Sequence, residues 1–237
     1  MVKTIELGGV TFKLDQRPGN QRDKSDKDAF VLVKTPKFLE YYDKLKAKAA
    51  PKDIMEIGMF EGGSMVYLDQ VFQPTKLVGI DLRSDPIEPL EAYGEDKEHI
   101  VTVYGCSQDE QSTLMAARAN FPTGIDLVVD DASHLYAQTK ATFEMLFPLV
   151  RKGGTYIIED WAWAHTPNNQ EKKAPWFKYP AMSNLIMEIT VLAARYGVIE
   201  NIEITRELVA ITKGAGTLPE GGVNLDGLLR NKKMLAL

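Results

Sequence analysis

From Ile54 to Glu159 the chain alternates short, β-branched apolar runs with stretches of helical periodicity, and no other feature restricts its fold as tightly. A repeated strand, helix, strand order is the signature of a parallel sheet with crossover helices. The pattern predicts strands at 53–58, 76–81, 99–104, 125–130 and 154–159, with helices near 63–71, 86–93, 109–119 and 136–150, the last stopped by Gly153-Gly154. A polar segment from Trp161 to Pro180 follows, then a helix at 181–196 closed by Gly197. Two final runs, Ile199 to Thr205 and Leu208 to Lys213, are joined so tightly that they are expected to pair antiparallel. The expected fold is α/β, a seven-stranded, mostly parallel sheet with the last strand reversed and helices on both faces.

Residues 1–34 read as an N-terminal arm, a short hairpin around Gly8-Gly9 followed by a mobile polar loop from Gln16 to Lys27. Such an arm would cover the site or mediate assembly, so a homo-oligomer stands as an open alternative. Thr35 and Pro36 fit the N-cap and first position of an amphipathic helix carrying Phe38, Leu39, Tyr42 and Leu45, ending at Pro51. Residues 35–237 then form one domain, since a chain of 237 residues that is 44% hydrophobic can bury a full core. Its Gly/Pro-rich tail from Gly214 is expected to be an irregular surface segment. A net charge of −5 argues against nucleic acid or an anionic membrane as partner and favours a small molecule. The N-terminus lacks the apolar core of a signal peptide and no stretch approaches a membrane span, so the expectation is a soluble, cytoplasmic protein. Cys106, the single cysteine, reads as a buried strand-end residue, and His99 and His165 read as surface or packing residues.

Two regions carry candidate chemistry. The first strand runs into a glycine loop, Glu56-Ile57-Gly58-Met59-Phe60-Glu61-Gly62-Gly63-Ser64, which opens a helix. Its spacing matches neither the dinucleotide G-x-G-x-x-G nor a Walker loop, and Glu56 would repel phosphate. A ligand with a cationic amine or sulfonium fits better, and the methionine moiety of S-adenosylmethionine has both. Asp81, about 20 residues on at the end of the second strand, is placed to accept ribose hydroxyls. Ser107 or Gln108, after the third strand, would reach the adenine edge, unless Ser107 caps the next helix. The second region is a pair of acidic runs, Asp130-Asp131-Ala132-Ser133-His134 and Glu159-Asp160-Trp161, each at the end of a strand. On neighbouring parallel strands, about 5 Å apart, Asp131, Glu159 and Asp160 would converge on a hard cation such as Mg²⁺. His134 would then stand beside it as a titratable base. Asp130 is grouped with the cofactor-binding residues, and of the pair it is the one suited to bond loop amides.

With E-I-G-x-x-x-G-G-S as cofactor loop and Asp81 as ribose acid, the chain resembles the class I S-adenosylmethionine-dependent methyltransferases, which have a Rossmann-like fold. The D-D-A-S-H and I-I-E-D-W runs narrow the resemblance to the metal-dependent macrocin and rhamnosyl sugar O-methyltransferase group, in which cephalosporin hydroxylase-associated proteins are also placed. The likeness covers roughly residues 50–165, with Ala132 where the family often has Gly. It implies Asp131, Glu159 and Asp160 as Mg²⁺ ligands and His134 as general base.

The implied reaction moves a methyl group from S-adenosylmethionine to a hydroxyl of a sugar or glycosylated small molecule. The sulfonium methyl is already activated, so the acceptor hydroxyl is what needs help. A cation chelated by two neighbouring hydroxyls would lower the pKa of one of them, Asp131 serving as catalytic ligand and His134 taking the proton. Trp161 and Trp163 offer flat apolar faces for the acceptor, and the segment from 161 to 180 resembles a lid. A catechol acceptor presents the same chelating pair. An accessory protein that binds cofactor without turnover is argued against by the intact acid and histidine set, and a nicotinamide enzyme by the glycine spacing.

Overall fold

A computed structural model describes residues 2–228; the end of the Gly/Pro-rich tail lies outside the described residues. Three strands open the chain: β1 (Lys3–Leu7), β2 (Val10–Leu14) and β3 (Phe30–Leu32), with β2 antiparallel to β1 and parallel to β3. Helix α1 (Pro36–Ala49) begins with proline at its first turn, and Thr35 stands at its cap without a side-chain hydrogen bond. Then come β4 (Asp53–Ile57), α2 (Gly63–Phe72), β5 (Lys76–Ile80), α3 (Glu88–Gly94), β6 (Ile100–Val103), α4 (Gln111–Asn120), β7 (Ile125–Asp130), α5 (Tyr136–Leu146) and β8 (Val150–Glu159). After three short 3₁₀ turns come α6 (Met182–Ala193), β9 (Ile199–Ile204), β10 (Leu208–Lys213) and α7 (Leu225–Leu228).

The main sheet has seven strands in the order β6-β5-β4-β7-β8-β10-β9. Only β10, the last in sequence, runs against its neighbours, as expected of the reversed final strand. Apolar residues alternate between two clusters, one on each face: Met55, Ile57, Val128 and Ile158 on one, Ile54, Leu127, Val129 and Ile157 on the other.

The structure departs from the sequence expectation in three places. The hairpin around Gly8-Gly9 forms as expected, as β1 and β2, but it is packed onto the domain: Phe12, Leu14, Phe30 and Leu32 are buried in the same apolar cluster as α1 and α2. Its polar loop is pinned by Asp15, fully buried, whose carboxylate accepts bonds from the Arg17 guanidinium and the Asp23 amide. Next, α5 stops at Leu146, a 3₁₀ turn at Phe147–Leu149 carries Pro148, and β8 already starts at Val150. Gly153-Gly154 therefore lies inside a strand, near the irregularity in the β7–β8 register, rather than closing a helix. Finally, the tail contains α7, whose Leu225 and Leu228 are buried.

Candidate active site

Strands β4, β5, β7 and β8 end on one edge of the sheet, and their following loops surround a cavity of about 720 Å³. Gly58 follows β4 with φ +89°, and a Cβ there would lie 2.5 Å from the Asp131 carbonyl oxygen. Only glycine allows the two loops to approach so closely. The loop runs on through Phe60, which lines the cavity, while Gly62 (φ +80°) and Gly63 shape the turn into α2. Ser64 and Gly63 face a smaller recess of about 30 Å³ beside Lys34 and Asp131.

Asp81 lines the cavity with its carboxylate fixed by backbone amides: Oδ2 accepts from Met59 and Phe60 at 2.9 and 3.1 Å, and Oδ1 from Arg83 at 2.9 Å. Ser107 and Gln108 also reach the wall, but their side chains are engaged elsewhere. The Ser107 hydroxyl donates to Asp109 at 2.6 Å rather than capping α4, which begins at Gln111. The Gln108 amide donates to Asp130 and Thr142 and accepts from the Ser133 N–H, so it braces the β7 loop. Asp130 does not line the cavity; it is buried, bonded by Tyr156 and Gln108, and burial lifts its pKa to about 7. Glu56 also lies beneath the surface, fully buried and outside the cavity lining, with neither carboxylate oxygen given a hydrogen-bond partner among the described residues. Burial pushes it up to about 8 against the pull of the Lys34 charge.

The acidic runs meet as the sequence pattern requires, since β7 and β8 are parallel neighbours. Asp131, His134 and Asp160 bring donor atoms within 4.8 Å of one another. His134 (φ +54°) and Asp160 (φ +53°) are both non-glycine residues in the left-handed region, so the two facing loops are strained at the same spot. His134 Nε2 stands 3.8 Å from Asp131 Oδ1, and its ring lies 4.2 Å from that of Trp163. Burial lowers its pKa, with the Asp160 charge opposing, so the imidazole is held neutral near pH 7. Burial raises Asp131 and Asp160.

Glu159 is placed differently from its expected role as a ligand. It is 1% exposed, and its two carboxylate oxygens accept bonds from the Lys34 ammonium and the Tyr42 hydroxyl. The ammonium also reaches Asp131 Oδ2 at 3.2 Å. Lys34 and Tyr42 were invisible as site residues in the sequence, because 125 and 117 positions separate them from Glu159. Trp161 likewise departs from its expected place: its indole N–H donates to the Thr205 carbonyl at 2.8 Å and its ring packs on the core, away from the cavity. Trp163 does line the cavity, together with Trp176, whose ring is 5.4 Å away edge-on. Trp176 comes from the lid-like 161–180 segment, and the sequence reading did not single it out. His165 bonds Ser183 and His99 bonds Asp69, while Cys106 is buried at the cavity wall.

Residues 55–161 match the family described as a methyltransferase domain. The chain is 29% identical over 163 residues to the 8-demethyl-8-(2-methoxy-alpha-L-rhamnosyl)-tetracenomycin-C 3'-O-methyltransferase of Streptomyces olivaceus, covering 64% of this chain and 39% of that protein. It is 31% identical to the mycinamicin VI 2''-O-methyltransferase of Micromonospora griseorubida, over 48% of this chain and 28% of that one. The chain thus spans well under half the length of these curated relatives. Among solved structures, MycE methyltransferase in complex with Mg and SAH superposes with a TM-score of 0.57 at 25% identity, covering 78% of this chain and 52% of that one. No helix among the described residues is long and apolar enough to cross a membrane. Residues 55–161, which carry the glycine loop, Asp81 and both acidic runs, thus match a methyltransferase domain, and the chain is similar in sequence to O-methyltransferases.

Proposed function

We propose that this protein is an O-methyltransferase that uses S-adenosylmethionine and a divalent cation, Mg²⁺ in the first instance, to methylate a hydroxyl of a sugar or glycosylated small molecule. The observation that carries the reading is the meeting of Asp131, His134 and Asp160 on the wall of the cavity that also holds Asp81 and Gly58. The cofactor half fits its ligand: Gly58 opens the backbone, Asp81 is pre-oriented for a ribose diol, and the exposed Leu82 side chain offers an apolar surface to a base. Glu56 is too deeply buried for direct contact with such a ligand.

The metal half fits as well. Glu56, Asp131, Glu159 and Asp160 bring four acids near one lysine, and their upward pKa shifts are those of crowded, desolvated carboxylates short of positive charge. Asp131 and Asp160 are hard oxygen donors open to the cavity. A bound divalent cation would supply Lewis-acid lowering of the acceptor hydroxyl's pKa. The neutral imidazole of His134 is then the group that takes the hydroxyl proton, worth about 10²–10⁴-fold. Its ring is held against Trp163, so it is oriented before any acceptor arrives. The names of the relatives, both O-methyltransferases of glycosylated compounds, support the sugar class.

The test is calorimetric titration with S-adenosylmethionine, followed by transfer of a labelled methyl group to a panel of glycosides and catechols with and without EDTA. Binding and chelator-sensitive transfer to a glycoside are expected. Absent cofactor binding sinks the reading; full activity in chelator removes the cation from it; transfer to catechols alone moves the acceptor class.

A further inference from the structure

The side chain of Lys34 lies among the acids where a metal ion would be sought. It lies two residues beyond the end of β3, is 2% exposed, and its ammonium spans Glu159 and Asp131 Oδ2. The phenol of Tyr42, on α1, takes the other Glu159 oxygen. Both oxygens of Glu159 are therefore committed to neighbours on the side of the sheet covered by the N-terminal strands. Asp131 divides its carboxylate: Oδ2 faces Lys34, while Oδ1 faces His134 and the cavity. Asp160 points to the cavity side, within the Asp131–His134–Asp160 group that excludes Glu159.

We infer that Lys34 is a built-in cation that removes Glu159 from the metal-binding set, so that a divalent ion here is held by Asp131 and Asp160 beside His134 and not by Glu159. Lys34 and Tyr42 are then positioning residues. They neutralise one acid of the E-D pair internally and aim Asp131 at the cavity. A site of two carboxylates binds its ion more weakly than one of three, leaving more positions for acceptor hydroxyls and water. This inference rests on the metal-dependent reading above, and its test separates the two.

Mn²⁺ affinity of the full chain is to be measured by calorimetry and by electron paramagnetic resonance of free Mn²⁺, neither of which requires turnover. Glu159→Gln is expected to bind within about threefold of wild type, whereas Asp160→Asn loses at least about tenfold. Lys34→Met, isosteric and neutral, frees Glu159 as a third carboxylate and is expected to bind at least about tenfold tighter. Should Lys34→Met fail to fold, Glu159→Gln decides alone. A loss in Glu159→Gln as deep as in Asp160→Asn, or a folded Lys34→Met with no gain, overturns the inference while leaving the metal reading standing. Wild type without Mn²⁺ affinity, whether or not Lys34→Met binds, overturns the metal reading and the inference with it.

Discussion

Glu56 is the residue whose burial has the clearest measurable consequence. Its carboxylate is fully buried without a hydrogen-bond partner among the described residues, and burial raises its pKa from 4.5 to about 8. Between those values the folded protein binds more protons than the unfolded chain, so stability is fully present below pH 4.5 and is lost as pH rises toward 8. The slope from one such group is at most about 1.4 kcal/mol per pH unit. Glu56→Gln keeps the shape and removes the charge. Urea denaturation from pH 5 to 8 should give a flatter profile for this variant, with wild type and variant close at pH 5 and the variant more stable at pH 8. Parallel profiles would show that Glu56 is charged in both states. Cofactor affinity at pH 7 should change little, because with a pKa of about 8 the wild-type carboxyl is already largely neutral there.

At the scale of elements, the contact between α2 and β3 joins the N-terminal sheet to the catalytic edge. A Cβ at Gly63 would lie 1.9 Å from the Val31 carbonyl oxygen, so the helix start and the strand touch backbone to backbone. Gly63→Ala must push β3 away, at a cost of about 1–3 kcal/mol for overpacking, and with it Lys34, three residues further on. Gly94→Ala, whose new methyl meets only Ile100 at 3.8 Å, is the control and should leave the melting temperature close to that of wild type. Gly63→Ala should also change Mn²⁺ affinity, which a purely local packing defect would not do. This coupling was hard to read in advance. Strands β4 to β8 were legible because apolar runs and crossover helices repeat along the chain. By contrast, β3 has three residues and pairs with β2 across a long polar loop, so no periodicity announces it. Lys34 beside Pro36 looked like the solvated approach to a helix, and only tertiary packing turns it inward. Gly153-Gly154 misled for a related reason, since a glycine pair marks a helix stop and a strand irregularity alike.

On the proposed function, the cavity divides across the whole molecule into a cofactor half, under Gly58 and Asp81, and an acceptor half, under Trp163 and Trp176. The acid loops lie between them, and the acidic runs and the glycine loop could be joined into one site from sequence, whereas of the acceptor wall only Trp163 was legible. Trp163 and Trp176 come from a segment of 3₁₀ turns without a repeating pattern, and Trp161, equally plausible on paper, turns to the core to bond Thr205. The two cavity tryptophans have separable duties. Trp163 touches the His134 ring, so its loss disturbs both acceptor binding and the orientation of the base; Trp176 touches Trp163 and acts on the acceptor alone. Trp176→Ala should raise acceptor KM about 3–10-fold, in keeping with an aromatic contact of about 0.5–1.5 kcal/mol, with kcat and the Kd for S-adenosylmethionine unchanged. Trp163→Ala should raise KM and lower kcat together, and its fall in rate should be steeper below the pKa of the now less buried imidazole. Steady-state kinetics across pH 6–9, alongside cofactor titrations, distinguish these outcomes. A Trp176→Ala variant that loses cofactor affinity would instead put the 161–180 segment over the methyl donor.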